Sequence, residues 1–302
     1  MRVFITGASG HVGSALIPEL LGAGHEVVGL ARSDQSAAAL TQLGVTVRRG
    51  DLDDLDGLAA AARDADGVVH LAFKHDAMQA GDYLGAASAD LRAVQALGEA
   101  LKGSGKPLVG TSGTLMLASP ASTRAGTETD VRESGPRIDA ENLVIGLADQ
   151  GVRSSVVRLP PTVHSSLDLH GFIPMLISIA RQAGTAGYVG DGTSRWPAGH
   201  TRDAAHLYRL ALEQAPAGTR LHAVGDEGIP FREIAETIGK HLSVPVTSIE
   251  PEAADSYFGM LGRFVQLDNP TSSALTRQLL GWQPTHPGLI DDLNEGHYFS
   301  TI

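Results

Sequence analysis

Arg2-Val3-Phe4-Ile5-Thr6-Gly7-Ala8-Ser9-Gly10-His11-Val12-Gly13 opens the chain, and its reading decides the fold. Arg2 to Thr6 places β-branched and apolar residues after a single charge, the composition of a strand buried on both faces. Glycines at positions 7, 10 and 13 then let the backbone turn sharply and come close to a bulky anion. Apolar Val12, Leu16, Leu20 and Leu21 follow at helical spacing, and Glu26-Val27-Val28-Gly29-Leu30-Ala31 reads as a second strand ending at Arg32-Ser33. A helix N-terminus entered through glycines offers unpaired N–H groups and a partial positive charge, which suits a diphosphate. Such spacing is weak evidence alone and strong evidence with the strand, helix and second strand around it.

Outward from this unit the alternation continues. Further strands are predicted over 45–49, 67–72, 107–111 and 154–159, and helices over 35–43, 55–65, 83–102 and 137–150. Repeated strand–helix units imply a doubly wound parallel sheet of the α/β class, with helices on both faces. Pro160-Pro161 ends the rhythm. Beyond it, helices over 172–183, 202–214, 230–241, 272–280 and 289–298 mix with isolated strands such as 220–224. The expected organisation is a dinucleotide-binding domain over 1–160 and a smaller mixed α/β substrate lobe over 161–302, with segments free to interleave.

The bulk numbers narrow the function. A net charge of −11 over 302 residues supplies no basic footprint for nucleic acid or an anionic membrane. The chain has no cysteine, which excludes disulfides, thiol catalysis and thiolate-bound zinc. Its 12 histidines are scattered, so no metal site is expected. Met1-Arg2 leads straight into the first strand, and no apolar run approaches the roughly 20 residues of a membrane helix. The expectation is a cytoplasmic protein acting on a small molecule.

Thr6 followed by Gly-x-x-Gly-x-x-Gly, together with His70-Leu71-Ala72, Thr111-Ser112-Gly113 and the late Leu280-Gly281-Trp282-Gln283-Pro284, resembles the extended branch of the short-chain dehydrogenase/reductases. That branch holds nucleotide-sugar epimerases, dehydratases and carbonyl reductases on a Rossmann sheet. The resemblance implies a dinucleotide held by Gly7, Ser9, Gly10, His11 and Val12 at the turn, and by Leu71, Ala72 and Phe73 after the fourth strand. Asp51 and Leu52 would lie at the adenine, and Pro160 and Thr162 at the nicotinamide carboxamide. Arg32 and Ser33 stand where the adenine ribose would lie. An arginine there pairs with a 2′-phosphate, so NADP(H) is preferred over NAD(H), with Asp34 blunting the preference.

Ser112 aligns with the hydroxyl that polarises a substrate carbonyl. The family's Tyr-x-x-x-Lys pair is missing: Lys74, Lys102, Lys106 and Lys240 are the only lysines, and none follows a tyrosine by four. Registering the next helix on Ala140-Glu141 puts Arg137 at the lysine position, where it can hold the nicotinamide ribose, and Glu133 at the tyrosine position. His75 and Asp76, on a loop at the catalytic edge, and His164, expected to face the cleft, are the candidate proton groups. Asp203 is expected to cap the helix that begins there, and His200 to be structural. The reading is an NADPH-dependent reductase of a small carbonyl or imine. A catalytically silent NADP(H) sensor is the alternative, and a nucleotide-sugar epimerase or dehydratase the less favoured one. The protein is expected as a monomer, or as a homodimer through a four-helix bundle of helices 83–102 and 137–150.

Overall fold

The computed structural model describes residues 1–118 and 124–300. Seven parallel strands form the main sheet: β1 (Arg2–Thr6), β2 (Glu26–Ala31), β3 (Thr46–Arg49), β4 (Gly67–His70), β5 (Pro107–Gly113), β6 (Arg153–Leu159) and, later in the chain, β10 (Thr219–His222). Their order is β10-β6-β5-β4-β1-β2-β3. The chain moves outward from β1 to β2 and β3, then restarts on the other side with β4. The strand order therefore reverses between β1 and β4, and a crevice opens there at the carboxyl ends of the strands.

Alternation along β1 explains the two cores. Val3 and Ile5 point to one face, where they meet Leu16 and Leu20 of the helix His11–Gly22 and Leu207, Tyr208 and Leu212 of the helix Thr201–Gln214. Phe4 points to the other face and packs with Leu58, Ala62, Ala93, Leu97 and Leu101 from the helices Leu55–Asp64 and Tyr83–Leu101. Each face carries an apolar layer, which is why the central strands β1 and β2 read as apolar runs after their first residue.

The chain leaves this sheet after Leu159 and builds a second lobe. Its strands are β7 (Thr162–His164), β8 (Ala186–Val189), β9 (Arg195–His200), β11 (Asp226–Pro230) and β12 (Val246–Ile249), in a three-stranded sheet β11-β9-β7 and a two-stranded sheet β12-β8. Trp196 is fully buried in its core, edge-on to Phe231 at 5.0 Å. The lobe does not simply follow the first domain. The helix Thr201–Gln214 returns to the main sheet and β10 pairs with β6, Thr219 opposite Ser155. Trp282 adds to the same core, its indole N–H donating to the Asp203 carbonyl at 3.0 Å. So 201–222 belong with the main sheet, and the last two residues of the lobe lie outside the described residues. Among the described residues no helix is long and apolar enough to cross a membrane.

Candidate functional site

The crevice begins at the glycine turn. Gly7 has φ +69°, and a Cβ there would sit 2.8 Å from the Ala72 nitrogen, so this glycine lets the exit of β4 lie against the turn. A Cβ on Gly13 would sit 2.3 Å from the Gly7 carbonyl oxygen. The helix His11–Gly22 starts at Gly10 with no side-chain cap and no acidic residue in its first turn. Its leading N–H groups are thus left for a ligand, and its first turn carries no negative side chain to repel an anion. Ser9 and Gly10 are exposed, and Gly7, His11 and Val12 partly so.

At the adenosine end, Arg32 follows β2 and Arg49 closes β3. The Arg49 guanidinium donates to the Ser33 carbonyl at 2.6 Å and pairs with Asp34 at 2.9 Å. Ser33 caps the helix Asp34–Gln42, its hydroxyl accepting from the Ser36 N–H at 3.1 Å. Asp51 turns back on its own loop, accepting from the Asp53 N–H at 2.8 Å, and Leu52 is buried in the core beneath the sheet. Asp51 is exposed with one carboxylate oxygen engaged in its turn, and Leu52 has only its backbone to offer a ligand.

The crevice edge beside β4 and β5 is built around Arg137. This residue is the N-cap of the helix Ile138–Gly146 with a left-handed φ of 66°, unusual for a side-chain-bearing residue. Its guanidinium lies over the Phe73 ring at 4.3 Å and donates to the Thr111 carbonyl at 2.9 Å. Asp90 stands 3.9 Å from it and also accepts from His70 at 3.0 Å. The other nitrogen of His70 meets the Thr6 hydroxyl at 2.7 Å. Since Asp90 can only accept, the His70 proton sits on Nε2 and the Thr6 hydroxyl donates to Nδ1. A buried chain Thr6–His70–Asp90 thus runs beneath the crevice to the Arg137 guanidinium. His75 is exposed beside Phe73, ring centroids 5.3 Å apart. Ser112 is 3 % exposed, its hydroxyl 3.7 Å from the Met116 sulfur. Burial pushes the Glu141 carboxyl up, but Arg158, Arg220 and the Ser112 hydroxyl together hold it below the usual range. Glu133, at the position of the missing tyrosine, is exposed.

The comparisons agree with this geometry. The profile described as "NAD dependent epimerase/dehydratase family" matches residues 3–224. The chain belongs to that family. It is 48 % identical over 301 residues to "Uncharacterized protein C2A9.02" of Schizosaccharomyces pombe, covering 99 % of this chain and 100 % of the relative. It is 28 % identical over 259 residues to the 2'-dehydrokanamycin reductase of Streptomyces kanamyceticus, covering 84 % of this chain and 70 % of that enzyme. Among solved structures, the dTDP-glucose 4,6-dehydratase DesIV of Streptomyces venezuelae, with NAD and TYD bound, superposes with a TM-score of 0.79 at 20 % identity, covering 99 % of this chain and 97 % of that one. That likeness shows the fold.

Three expectations for this family member are corrected by its contacts. His75 and Asp76 are not on a loop but begin the five-residue helix His75–Gln79, and Asp76 accepts a hydrogen bond from Arg32 at 2.7 Å. Asp76 is thus paired across the crevice with the residue that follows β2. His164 does not face the cleft: it is fully buried, with Nδ1 2.8 Å from Asp292. Its register in β7 opposite His200 of β9 turns it into the lobe. Asp203 does not cap its helix either. The cap is His200, whose Nδ1 accepts from the Arg202 N–H at 3.2 Å, while Asp203 accepts from Thr285 and His286 N–H groups at 3.0 and 3.1 Å. Thr162 is also buried, its hydroxyl donating to the Pro197 carbonyl at 2.7 Å, and Pro160 is buried beside it. These two leave only backbone for a nicotinamide.

Sequence reasoning missed one cluster altogether. The His11 ring turns from the glycine turn toward the lobe, with Nε2 2.7 Å from the Thr201 hydroxyl and Nδ1 3.9 Å from Asp168. Thr201 donates onward to the His164 carbonyl at 3.0 Å, so His11 is the donor at Nε2. Asp168 is 4 % exposed and accepts from the Gly171 N–H at 2.7 Å and the Tyr298 hydroxyl at 3.2 Å. His200, Asp203 and His286 lie close enough to share a cation. Both Asp203 oxygens, however, already accept from the 285–286 backbone, so the trio reads as a clamp between the helix Thr201–Gln214 and the tail.

These buried groups set a pH dependence. Burial, reinforced by His164, lowers His11 from 6.5 to about 4, and likewise lowers His200 from 6.5 to about 4. Burial also lowers His222. Between these values the unfolded chain binds more protons at the rings than the native one, so the rings make stability rise with pH. Asp168, raised by burial from 3.8 to about 6, acts oppositely over much of the same window and offsets roughly one histidine. The net expectation is a urea midpoint higher at about pH 6.5 than at about pH 4.5. A flat or falling midpoint would contradict the burial of these rings.

Proposed function

We propose that the protein is an NADPH-dependent reductase that delivers hydride to a small carbonyl or imine. The observation that carries this reading is the charge at the two ends of one crevice. Arg49 reaches Ser33 and Asp34 where an adenine ribose would lie, Arg32 stands beside them in an exposed pair with Asp76, and Arg137 lies over Phe73 at the catalytic edge. Bound at the glycine turn, a dinucleotide would supply the hydride. Arg137, always protonated, would hold its ribose by a fixed charge, and Asp90 would keep the guanidinium in place. The similarity to a 2'-dehydrokanamycin reductase supports reduction as a chemistry for this chain.

Ser112 would polarise the acceptor oxygen, giving up its weak contact with the Met116 sulfur and its hydrogen bond to Glu141. Ser112→Ala is then expected to lower kcat by about 100-fold with cofactor affinity unchanged, as the loss of one positioned donor does. An unchanged kcat would confine Ser112 to supporting Glu141. A proton, where the acceptor needs one, would come from His75 or from water on the exposed side of Phe73; an iminium acceptor needs none.

A second reading has its own observation. Glu133 is exposed at the position of the family tyrosine, and His164, the other sequence candidate, is locked to Asp292. A protein that binds NADP(H) and signals its presence without turnover fits that arrangement, and saturable binding without consumption of NADPH would favour it.

A further inference from the structure

Strand order puts β4, β1 and β2 side by side. A contact between a residue following β2 and one following β4 therefore passes across the carboxyl end of β1, above the glycine turn. Arg32 and Asp76 make such a contact, Nη2 donating to Oδ2 at 2.7 Å. Their side chains are 64 % and 73 % exposed, so packing fixes neither, and the pair can open at small cost. The other charges around it are already matched. Lys74 pairs with Asp53, and Arg49 with Asp34, which leaves Arg32 as the partner of Asp76. The hydrogen bond from Arg32 and its charge keep the Asp76 carboxyl below its ordinary value, hence ionised throughout the neutral range.

We infer that Asp76 is a specificity-determining residue of the cofactor cleft, its carboxylate competing with the 2′-phosphate of NADP(H) for the Arg32 guanidinium. This rests on the NADPH reading above. A phosphate offers the guanidinium a second, doubly charged acceptor in bidentate geometry, and the displaced carboxylate returns to water. NAD(H) brings two neutral hydroxyls instead. It leaves the Arg32–Asp76 clasp closed and finds in Asp76 the carboxylate acceptor that Arg32 denies it at the end of β2. One residue after β4 thus sets how far the arginine after β2 discriminates between the two cofactors.

The test is a set of dissociation constants for NADPH and NADH, by nicotinamide fluorescence, on the full chain and on Asp76→Asn, Arg32→Ala and the double variant. Both positions are exposed, so unchanged circular dichroism and Tm confirm that each variant is folded. Asp76→Asn is expected to bind NADPH about 2- to 5-fold more tightly, the worth of one exposed ion pair, and NADH no more tightly than before. In the Arg32→Ala background the same exchange is expected to change NADPH affinity by less than about twofold, because the contested group is gone. If Arg32→Ala weakens NADPH while Asp76→Asn leaves both affinities unchanged, the NADPH reading stands and the assignment of Asp76 falls. Weaker NADPH binding by Asp76→Asn would also overturn it. If Arg32→Ala leaves NADPH affinity untouched, both fall.

Discussion

Gly13→Val is expected to lose cofactor binding by roughly 100-fold or more, the scale on which a displacement of about an ångström acts on a positioned site. A Cβ at this position would lie 2.3 Å from the Gly7 carbonyl oxygen, 2.5 Å from the Ala8 oxygen and 2.8 Å from the Ala8 carbonyl carbon. All three are backbone atoms, so no side chain can swing aside; the turn itself must move, and with it the N–H groups aimed at the diphosphate. Overpacking of this kind also costs stability, about 1–3 kcal/mol. The companion exchange Gly22→Ala, at the other end of the same helix, meets nothing within 4 Å. It is expected to leave NADPH affinity alone and to gain about 0.5–1 kcal/mol of stability from helix propensity. Titration of both variants with NADPH decides the matter, and near-normal binding by folded Gly13→Val would remove the turn from the cofactor site.

The second large effect concerns stability. Glu141 is 3 % exposed and accepts from Arg158 at 2.5 and 3.0 Å and from Arg220 at 2.7 Å. Arg158 is fully buried, and its remaining donors reach the Asp130 carbonyl at 2.9 Å and His222 at 3.2 Å. This ionic knot fastens the helix Ile138–Gly146 to β6 and to the returning strand β10 at the edge of the sheet. Glu141→Ala leaves the Arg158 guanidinium buried without its counter-charge, and the expected loss is about 3–5 kcal/mol. Urea unfolding should show it as a large fall in midpoint. Glu141→Gln, which keeps an acceptor oxygen, should lose less. A midpoint within experimental error of the parent for Glu141→Ala would mean that solvent reaches Arg158.

What the sequence disclosed and what it hid follow from contact range. The strand, glycine turn and helix at the start of the chain are local, and each is dictated by residues within a few positions of one another. The second lobe is where pattern failed. β12 pairs with β8 although Val246, Thr247 and Ser248 are exposed, so no apolar alternation announces either strand. Site residues went astray for the same reason. His164 was expected to face the cleft because its neighbours lead there, yet its position is set by Asp292, 128 residues away. Asp203 caps nothing because Thr285 and His286, more than 80 positions later, claim its oxygens. His11 reads as one residue of a glycine turn, and nothing nearby in sequence reveals Asp168 or Thr201. Arg137 is named by local register at the start of its helix, while the chain from Thr6 through His70 and Asp90 that leads to it joins three separate elements.

The most direct test of the whole account is NADPH consumption by the full chain against a mixed panel of aldehydes, ketones and cyclic imines, with NADPH and NADH binding followed by nicotinamide fluorescence in the same samples. The account predicts saturable binding of both cofactors, tighter for NADPH, and consumption of NADPH with at least one acceptor class. Binding without consumption across the panel would contradict the reductase and favour the sensor, and absence of binding would contradict the cofactor cleft itself.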